Sequence, residues 1–420
     1  MKADVSVIGA GIIGAQTAVQ LAERGLKVVL IDPGPPGGEQ SASYGNAAWL
    51  SSHSVTPPSA PGVWKQVPDW LRDPLGPLSV RPSYLPKVLP WLLRYLAAGS
   101  TEQKLRRIAA ELRTLLKDAP RLHEEVATRA GRPELIDAKS GLMHVYHDRA
   151  AYEADGLGWR IRRDLGIICE EIEGPDLARR QPDLSEQYRF AVNVPEAGQC
   201  LDPGAYCAAL VSHAGTMGAR QVAARATGFR TEGGKLTAVE TSQGEISCGA
   251  AVIASGARSA RLAARAGDSV PLESERGYHV TVEGGADLPG PRTSVMVGDR
   301  KVVITRLGTG IRCAGQVEIA SPDASPNWRR AEIMRAHLGA VFPGLDTRDA
   351  RVWMGLRPST PDGKPVIAEA SGIRGVVHCF GHGHVGLVTS ARSGRLAAQL
   401  VTGETPEIDL APFSAARFRA

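Results

Sequence analysis

No Cys-x-x-Cys pair occurs among the six scattered cysteines, Cys169, Cys200, Cys207, Cys248, Cys313 and Cys379. They read as buried thiols in a reducing compartment. His-x-x-x-His with a partnering Glu and the Gly-x-Ser-x-Gly elbow are also missing, so metal and serine-nucleophile chemistry lack their usual carriers. There is no basic run: 49 Lys and Arg stand against 44 Asp and Glu, and the formal charge of +5 is spread along the chain. Nucleic acid is therefore not an expected partner. The mild positive balance suits an anionic cofactor and carboxylate substrates. Met1-Lys2-Ala3-Asp4 runs straight into a strand and leaves no room for a secretory signal, so a cytoplasmic location is expected. The most lipid-like stretch, Leu85 to Ala98, is broken by Pro86, Lys87, Pro90 and Arg94 and is shorter than the ~20 apolar residues of a membrane span. With Trp64, Trp70 and Trp91 nearby, it suits a lid or core position first and peripheral contact with the inner membrane face second.

What is present is the composition of a globular protein, long enough for a large enzyme to be physically possible. The chain has 420 residues, 43% hydrophobic and 22% charged, and that length points to two domains. Val5-Ser6-Val7-Ile8 reads as a strand, Ile12 to Arg24 as a helix with Gly25 at its C-terminal end, and Lys27 to Asp32 as a second strand. A Gly, Pro and Ser-rich stretch from Pro33 to Pro61 is too long to be an idle connection. Ser100-Thr101-Glu102-Gln103 offers a capping box for a helix with a Leu105, Ile108, Leu112, Leu115, Leu116 stripe, ending near Pro120. From Arg220 to Gly256 short β runs form a meander that returns to the buried strand Ala250 to Ile253. Further strands are expected at Tyr278 to Val282, Lys301 to Ile304 and Gly375 to Phe380, with a last helix over Thr389 to Leu400.

The chemistry begins in the turn Gly9-Ala10-Gly11-Ile12-Ile13-Gly14. Gly9 permits the bend, Gly11 lets backbone approach a pyrophosphate, and Gly14 lets helix and strand pack closely. The unpaired N–H groups of the helix N-terminus then face the phosphates. Asp32 ends the second strand, 18 positions after Gly14, where a carboxylate accepts from ribose hydroxyls. The set specifies a dinucleotide without choosing NAD or FAD. Two later features favour FAD. Val252-Ile253-Ala254-Ser255-Gly256-Ala257 is a strand ending in small residues, suited to run beside a flavin nucleotide. Gly381-His382-Gly383-His384-Val385-Gly386 opens the last helix, whose dipole suits the electron-rich edge of an isoalloxazine.

These pieces, together with Ser43-Tyr44-Gly45-Asn46-Ala47, Pro74-Leu75-Gly76-Pro77-Leu78-Ser79, Glu275-Arg276-Gly277-Tyr278-His279 and Trp353-Met354-Gly355-Leu356-Arg357-Pro358-Ser359-Thr360-Pro361-Asp362, resemble the D-amino-acid oxidase superfamily of FAD-dependent oxidoreductases. Within it the chain is similar to the group of D-amino-acid dehydrogenases and glyphosate oxidoreductase, over essentially its full length. The resemblance implies that Ser43, Gly45, Asn46 and Ala47 wrap the pyrophosphate and flavin. It departs at Ala48, where such proteins usually have glycine. It further implies that Arg357 holds a substrate carboxylate, which a guanidinium fork matches bidentately. Tyr278 and His279 would border the substrate pocket. They alternate along a strand, so one of them faces the site, and Tyr278 is favoured. His384, and less strongly His382 and His53, are candidates to meet the flavin carbonyl edge or the substrate amine. No cysteine lies near Trp353 to Asp362, so FAD is expected to be non-covalent.

The expected fold is α/β plus α+β: a Rossmann-like FAD-binding domain over 1–60, 200–268 and 350–420, and an antiparallel-sheet substrate domain over 61–199 and 269–349. Val222 and Gly256 complete the expected cofactor contacts with Gly9, Gly11, Ile12, Ile13, Gly14, Asp32, the 43–47 loop and 381–386. The expected reaction is oxidative deamination of an amino acid, foremost by a D-amino-acid dehydrogenase, with hydride passing from Cα–H to flavin N5 and the imine hydrolysing to a 2-oxo acid. The electron acceptor is a quinone or oxygen. Alternatives are oxidation of secondary N-substituted amino acids such as glyphosate, sarcosine or hydroxyproline, an NAD-dependent dehydrogenase, and a non-catalytic flavin-binding protein.

Overall fold

The computed structural model describes residues 1–419 except 58, 63, 64, 66, 68, 70, 71, 74 and 75. Trp64, Trp70, Pro74 and Leu75 of the sequence reading thus lie outside the described residues. Two large sheets organise the chain. The first has six strands in the order Arg220–Val222, Val28–Ile31, Val5–Ile8, Ala250–Ile253, Val376–Phe380 and Val366–Glu369. Its first five strands run parallel and the last is antiparallel. The runs Val-Ser-Val-Ile and Val-Val-Leu-Ile are buried at every position, as parallel strands covered on both faces must be. The helices Ile12–Glu23, Pro203–Thr216 and Gly386–Thr402 cover one face. The meander Ala226–Glu232, Lys235–Thr241 and Gly244–Ser247 covers the other through Leu236, Val239 and Ile246. Helices Ile12–Glu23 and Gly386–Thr402 meet closely at Gly394, where a Cβ would fall 2.7 Å from the Gln16 backbone.

The second sheet has nine strands. Eight follow the order Arg351–Ser359, Glu273–Glu283, Gly310–Ile319, Val302–Leu307, Val295–Val297, Leu142–Tyr146, Phe190–Val194 and Glu170–Glu173, and Leu78–Val80 pairs with Gly310–Ile319. One face packs Val280, Ile304 and Cys313 onto the helix Arg329–Val341. The opposite face turns toward a cavity between the two sheets.

Several local expectations change. Arg351–Ser359, grouped by sequence with the cofactor unit, pairs instead with Glu273–Glu283 in the nine-stranded sheet, because chain order does not dictate which sheet edge a strand completes. Pro120 opens a helix rather than closing one: Asp118, at φ 60°, breaks the chain after Leu116, and Pro120 enters the first turn of Ala119–Arg129, where its missing N–H costs nothing. Thr101 rather than Ser100 caps Glu102–Leu116, its Oγ1 accepting from Lys104 N. Leu85–Ala98 is a continuous 14-residue helix despite Pro90, with Val88 and Trp91 buried. No helix among the described residues is long and apolar enough to cross a membrane.

Candidate active site

The cavity between the sheets encloses about 1750 Å³. Pockets for small ligands occupy ~300–1000 Å³, so this volume suits a dinucleotide together with a substrate. Its two ends are the glycine turn of the first strand and the wall formed by Glu275, Gly277 and Arg357.

At the first end the three glycines shape a tight turn. Gly9 has φ +109°, and a Cβ there would stand 2.5 Å from the Ala254 carbonyl oxygen. A Cβ on Gly14 would fall 1.8 Å from the Gly9 carbonyl oxygen. Gly11 meets only the hydroxyls of Ser41 and Ser43, at 3.3 and 3.4 Å, so its open side is cavity. Ser43 Oγ accepts from Ile12 N at 2.9 Å and ties the following loop to the helix N-terminus, where Ile13 also lines the wall. Asp32 accepts from Ala10 N and Gly34 N, both at 2.9 Å. Each oxygen keeps a lone pair for a ligand hydroxyl. Gly256, in the turn after Ala250–Ile253, lines the cavity at φ +57°. Val222 does not: it pairs with Ile31 and packs on the apolar layer below, and Ala224, Arg225 and Ala226 form the wall instead. These cradles, which a single methyl would fill, fit the diphosphate of FAD.

The loop 43–47 is fixed by the large sheet. Arg312 Nη1 donates to the carbonyls of Tyr44 at 3.0 Å and Asn46 at 2.8 Å. Thr305 Oγ1 donates to Ala47 O at 3.0 Å, and His279 Nδ1 lies 3.1 Å from Gly45 O. Gly45 also lies under Trp353, whose ring a Cβ would strike at 2.0 Å. Burial pulls the Arg312 guanidinium down to about 10, partly opposed by Tyr44 and Asp202, and leaves it cationic at neutral pH. Arg312 and Thr305 escaped the sequence reading. The one available signal was a lone arginine within Ile311-Arg312-Cys313-Ala314. Ala48, the departure from the resembling family, adopts φ 66°, the left-handed conformation that glycine occupies without strain.

Of Tyr278 and His279, Tyr278 is the one that lines the cavity, but its hydroxyl is engaged elsewhere. Glu275, Gly277 and His279 share one face. The Tyr278 hydroxyl lies on the other, donating to Glu318 Oε2 at 2.5 Å and accepting from Asn327 N at 2.9 Å. Tyr278 is 1% exposed and packs in the core against Arg329–Val341, so its phenol is spent. His279 bonds the 43–47 loop and stacks on Trp353. Burial, with Arg312 beside it, pushes its imidazole down to about 3 and keeps it neutral.

Arg357 lies directly over Gly277, where a Cβ would touch its guanidinium. It is aimed by two backbone carbonyls, Gln316 O from Nη1 at 2.9 Å and Gly315 O from Nη2 at 3.3 Å. Burial lowers its pKa and Glu275 opposes that shift. Gly381 and Gly383 take φ +84° and +50°, turning the chain into the helix that begins at Gly386. Within this turn His382 is buried and bonded to Ser393 Oγ at 3.1 Å, and burial lowers it to about 3. His384 and Val385 line the cavity, and His384 Nε2 lies 2.6 Å from Glu275 Oε2. His53 sits apart from this wall, its Nε2 2.8 Å from His144 Nε2, with burial holding both rings well below their ordinary pKa.

A mostly parallel sheet with a glycine turn shaped for a diphosphate, joined to a mostly antiparallel sheet that presents a guanidinium across one cavity, is the architecture of a dinucleotide-dependent oxidoreductase. The chain belongs to the DAO family of FAD-dependent oxidoreductases, whose profile matches residues 4–400. Its cofactor is therefore FAD. It is 54% identical to a D-amino-acid oxidase of Bradyrhizobium diazoefficiens over 99% of this chain and 98% of that one. It is 32% identical to a D-amino acid dehydrogenase of Rhizobium rhizogenes, covering 99% of each. Among solved structures, glycine oxidase from Geobacillus kaustophilus superposes with a TM-score of 0.75 at 24% identity, covering 99% of each chain. That last likeness speaks to the fold alone.

Proposed function

We propose that the protein oxidatively deaminates a D-amino acid, with Arg357 anchoring the α-carboxylate so that the Cα–H bond points at the cofactor. The observation that carries this reading is the Arg357 guanidinium, held over Gly277 by two carbonyls on the cavity wall beside the 381–386 turn. The names of the 54% and 32% relatives support an amino acid of D configuration. Bound FAD, held non-covalently, supplies the hydride acceptor. The protein's part is positioning, which converts an encounter into an intramolecular step, and shielding by Trp91 and Tyr95 of the helix Leu85–Ala98, which line the same cavity. The imine formed hydrolyses to a 2-oxo acid and ammonia. The cofactor domain is assigned to 1–60, 200–268 and 350–420 without the Arg351–Ser359 strand, and the substrate domain to the remainder.

The test is an anaerobic bleaching screen of the yellow holoprotein with D-amino acids, L-amino acids, sarcosine, hydroxyproline and glyphosate. Bleaching by D-amino acids is expected. Bleaching by the secondary amines alone would move the substrate class, and none at all would leave a flavin-binding protein without this activity.

The acceptor is proposed to be a quinone reached at the membrane surface. Leu85, Leu89 and Leu93 are 44%, 47% and 60% exposed along one helix that also lines the cavity, and the same helix carries Lys87 and Arg94 to meet anionic headgroups. Stoichiometric hydrogen peroxide in air, with no gain from a soluble quinone, would instead assign oxygen.

A further inference from the structure

Glu275 and Arg357 are register partners on neighbouring antiparallel strands. That placement puts opposite charges within reach of a direct ion pair, yet each is bonded elsewhere. Arg357 is turned onto the carbonyls of Gly315 and Gln316. Glu275, 5% exposed, meets His384 at 2.6 Å. A cation and an anion thus stand side by side on one cavity wall, next to the glycine turn that opens the last helix. Had the two served only to hold the strands together, closing on one another would have been the cheaper arrangement, because a buried carboxylate without a full counter-charge is costly. Opposite charges side by side match an α-amino acid, whose carboxylate and ammonium branch from a single carbon.

We propose that Glu275 receives the substrate's α-ammonium while Arg357 receives its carboxylate, and that His384 takes one proton from that ammonium before oxidation. This rests on the amino-acid reading above. An ionised Glu275 is an acceptor only, so the hydrogen in its bond to His384 is carried on Nε2. In the neutral ring Nδ1 is then the free acceptor. The ammonium N–H bond breaks and the Nδ1–H bond forms, leaving a neutral amine and an imidazolium paired with Glu275. No electrons move in this step. The His384 side chain is 41% exposed and passes its proton to water. The groups around the pair are Arg357 on the adjoining strand, Tyr95 on the helix Leu85–Ala98, Glu273 on the same strand and bonded to Tyr84, and the neutral His382 in the same turn. Burial pushes the Glu275 carboxyl up, but the charges of a protonated His384 and of Arg357 outweigh it and hold the group below its ordinary value, and when the His384 ring is neutral Arg357 remains as counter-charge.

The experiment uses FAD-loaded parent, Glu275→Gln, Glu275→Asp and His384→Gln. Two ligands are titrated by flavin absorbance: the amino acid that bleaches the parent fastest, and the carboxylic acid of the same skeleton lacking the amine. Glu275→Gln is expected to weaken the amino acid by ~10–100-fold, the worth of one charge-assisted bond, while the amine-free acid binds as in the parent. Glu275→Asp recovers part of the loss. His384→Gln is expected to leave both affinities near the parent's and to slow anaerobic flavin reduction ~100-fold at pH 7. That gap narrows as rising pH supplies neutral amine from solution. Equal weakening of both ligands, no weakening of either, or a His384→Gln deficit constant with pH would overturn the proposal. If Glu275→Gln fails to retain FAD, the Asp variant and the His384→Gln pH profile decide it. A parent that holds FAD and is bleached by no amino acid refutes the amino-acid reading itself. A parent bleached normally alongside the adverse variant results refutes the receptor alone.

Discussion

Gly11 and Gly14 stand three residues apart in the same turn, and the structure assigns them opposite failures. At Gly14 an added Cβ would fall 1.8 Å from Gly9 O, whereas real contacts stay beyond 3.0 Å, so backbone must separate from backbone by at least 1.2 Å (3.0 minus 1.8). Neither side is a flexible side chain, and Gly9 and Gly14 are both buried. Overpacking of this kind costs ~1–3 kcal/mol or more. At Gly11 the nearest atoms are two serine hydroxyls at 3.3 and 3.4 Å, which rotate away at little cost, but the methyl projects into the space a diphosphate must enter. Gly14→Ala should therefore lower the melting temperature even of protein stripped of FAD. Gly11→Ala should melt like the parent without FAD and bind FAD ~10–100-fold more weakly, the equivalent of about 1.4–2.8 kcal/mol. The assay pairs thermal melts of apoprotein with FAD titration followed by flavin fluorescence. Equal melting losses in the two variants, or parental FAD affinity in Gly11→Ala, would refute the division of roles.

Arg357→Ala should retain FAD and raise KM by ~10–100-fold, as loss of a charge-assisted bidentate contact predicts; unchanged KM across several amino acids would remove Arg357 from the site. Buried His123 bonds Tyr206 and the Val388 carbonyl, and burial lowers its pKa from 6.5 to about 4. Its folded value lies below the unfolded one, so its contribution is complete above pH 6.5 and is lost as pH falls toward 4, amounting to about 2 kcal/mol at pH 5. Urea denaturation of His123→Gln should show a correspondingly shallower loss between pH 7.5 and 5, and a slope equal to the parent's would contradict this. Ala48→Gly should be nearly neutral in melting temperature, because relief of the left-handed conformation, about 1 kcal/mol, is offset by about 0.8 kcal/mol of lost methyl burial. A large loss would show that φ does not limit that position.

What could be read from the sequence was what short-range geometry dictates. Gly9, Gly11 and Gly14 declare themselves because each answers to a constraint within a few residues, and Gly381 and Gly383 do so because a strand must turn at once into a helix. The pins of the 43–47 loop answer to no local pattern. Arg312 reaches Asn46 across 266 residues and Thr305 reaches Ala47 across 258, and the Glu275 to His384 contact spans 109. Such pairs exist only once the sheet has brought its strands together.

The segment Glu275-Arg276-Gly277-Tyr278-His279 shows where period-two reading stops. Alternation divides it correctly into two sets, but the choice of set depends on what lies above each face. Tyr278 attracts notice as a phenol in a pocket strand, yet its hydroxyl is claimed by Glu318 and Asn327. The informative residue is the one without a side chain. Gly277 leaves the space that the Arg357 guanidinium fills, so the face carrying the glycine is the face that a functional group approaches. By alternation Glu275 and His279 lie on that face too. A glycine inside a buried strand therefore marks the side of close approach, and had it been used to set the phase, it would have turned attention from Tyr278 to Glu275.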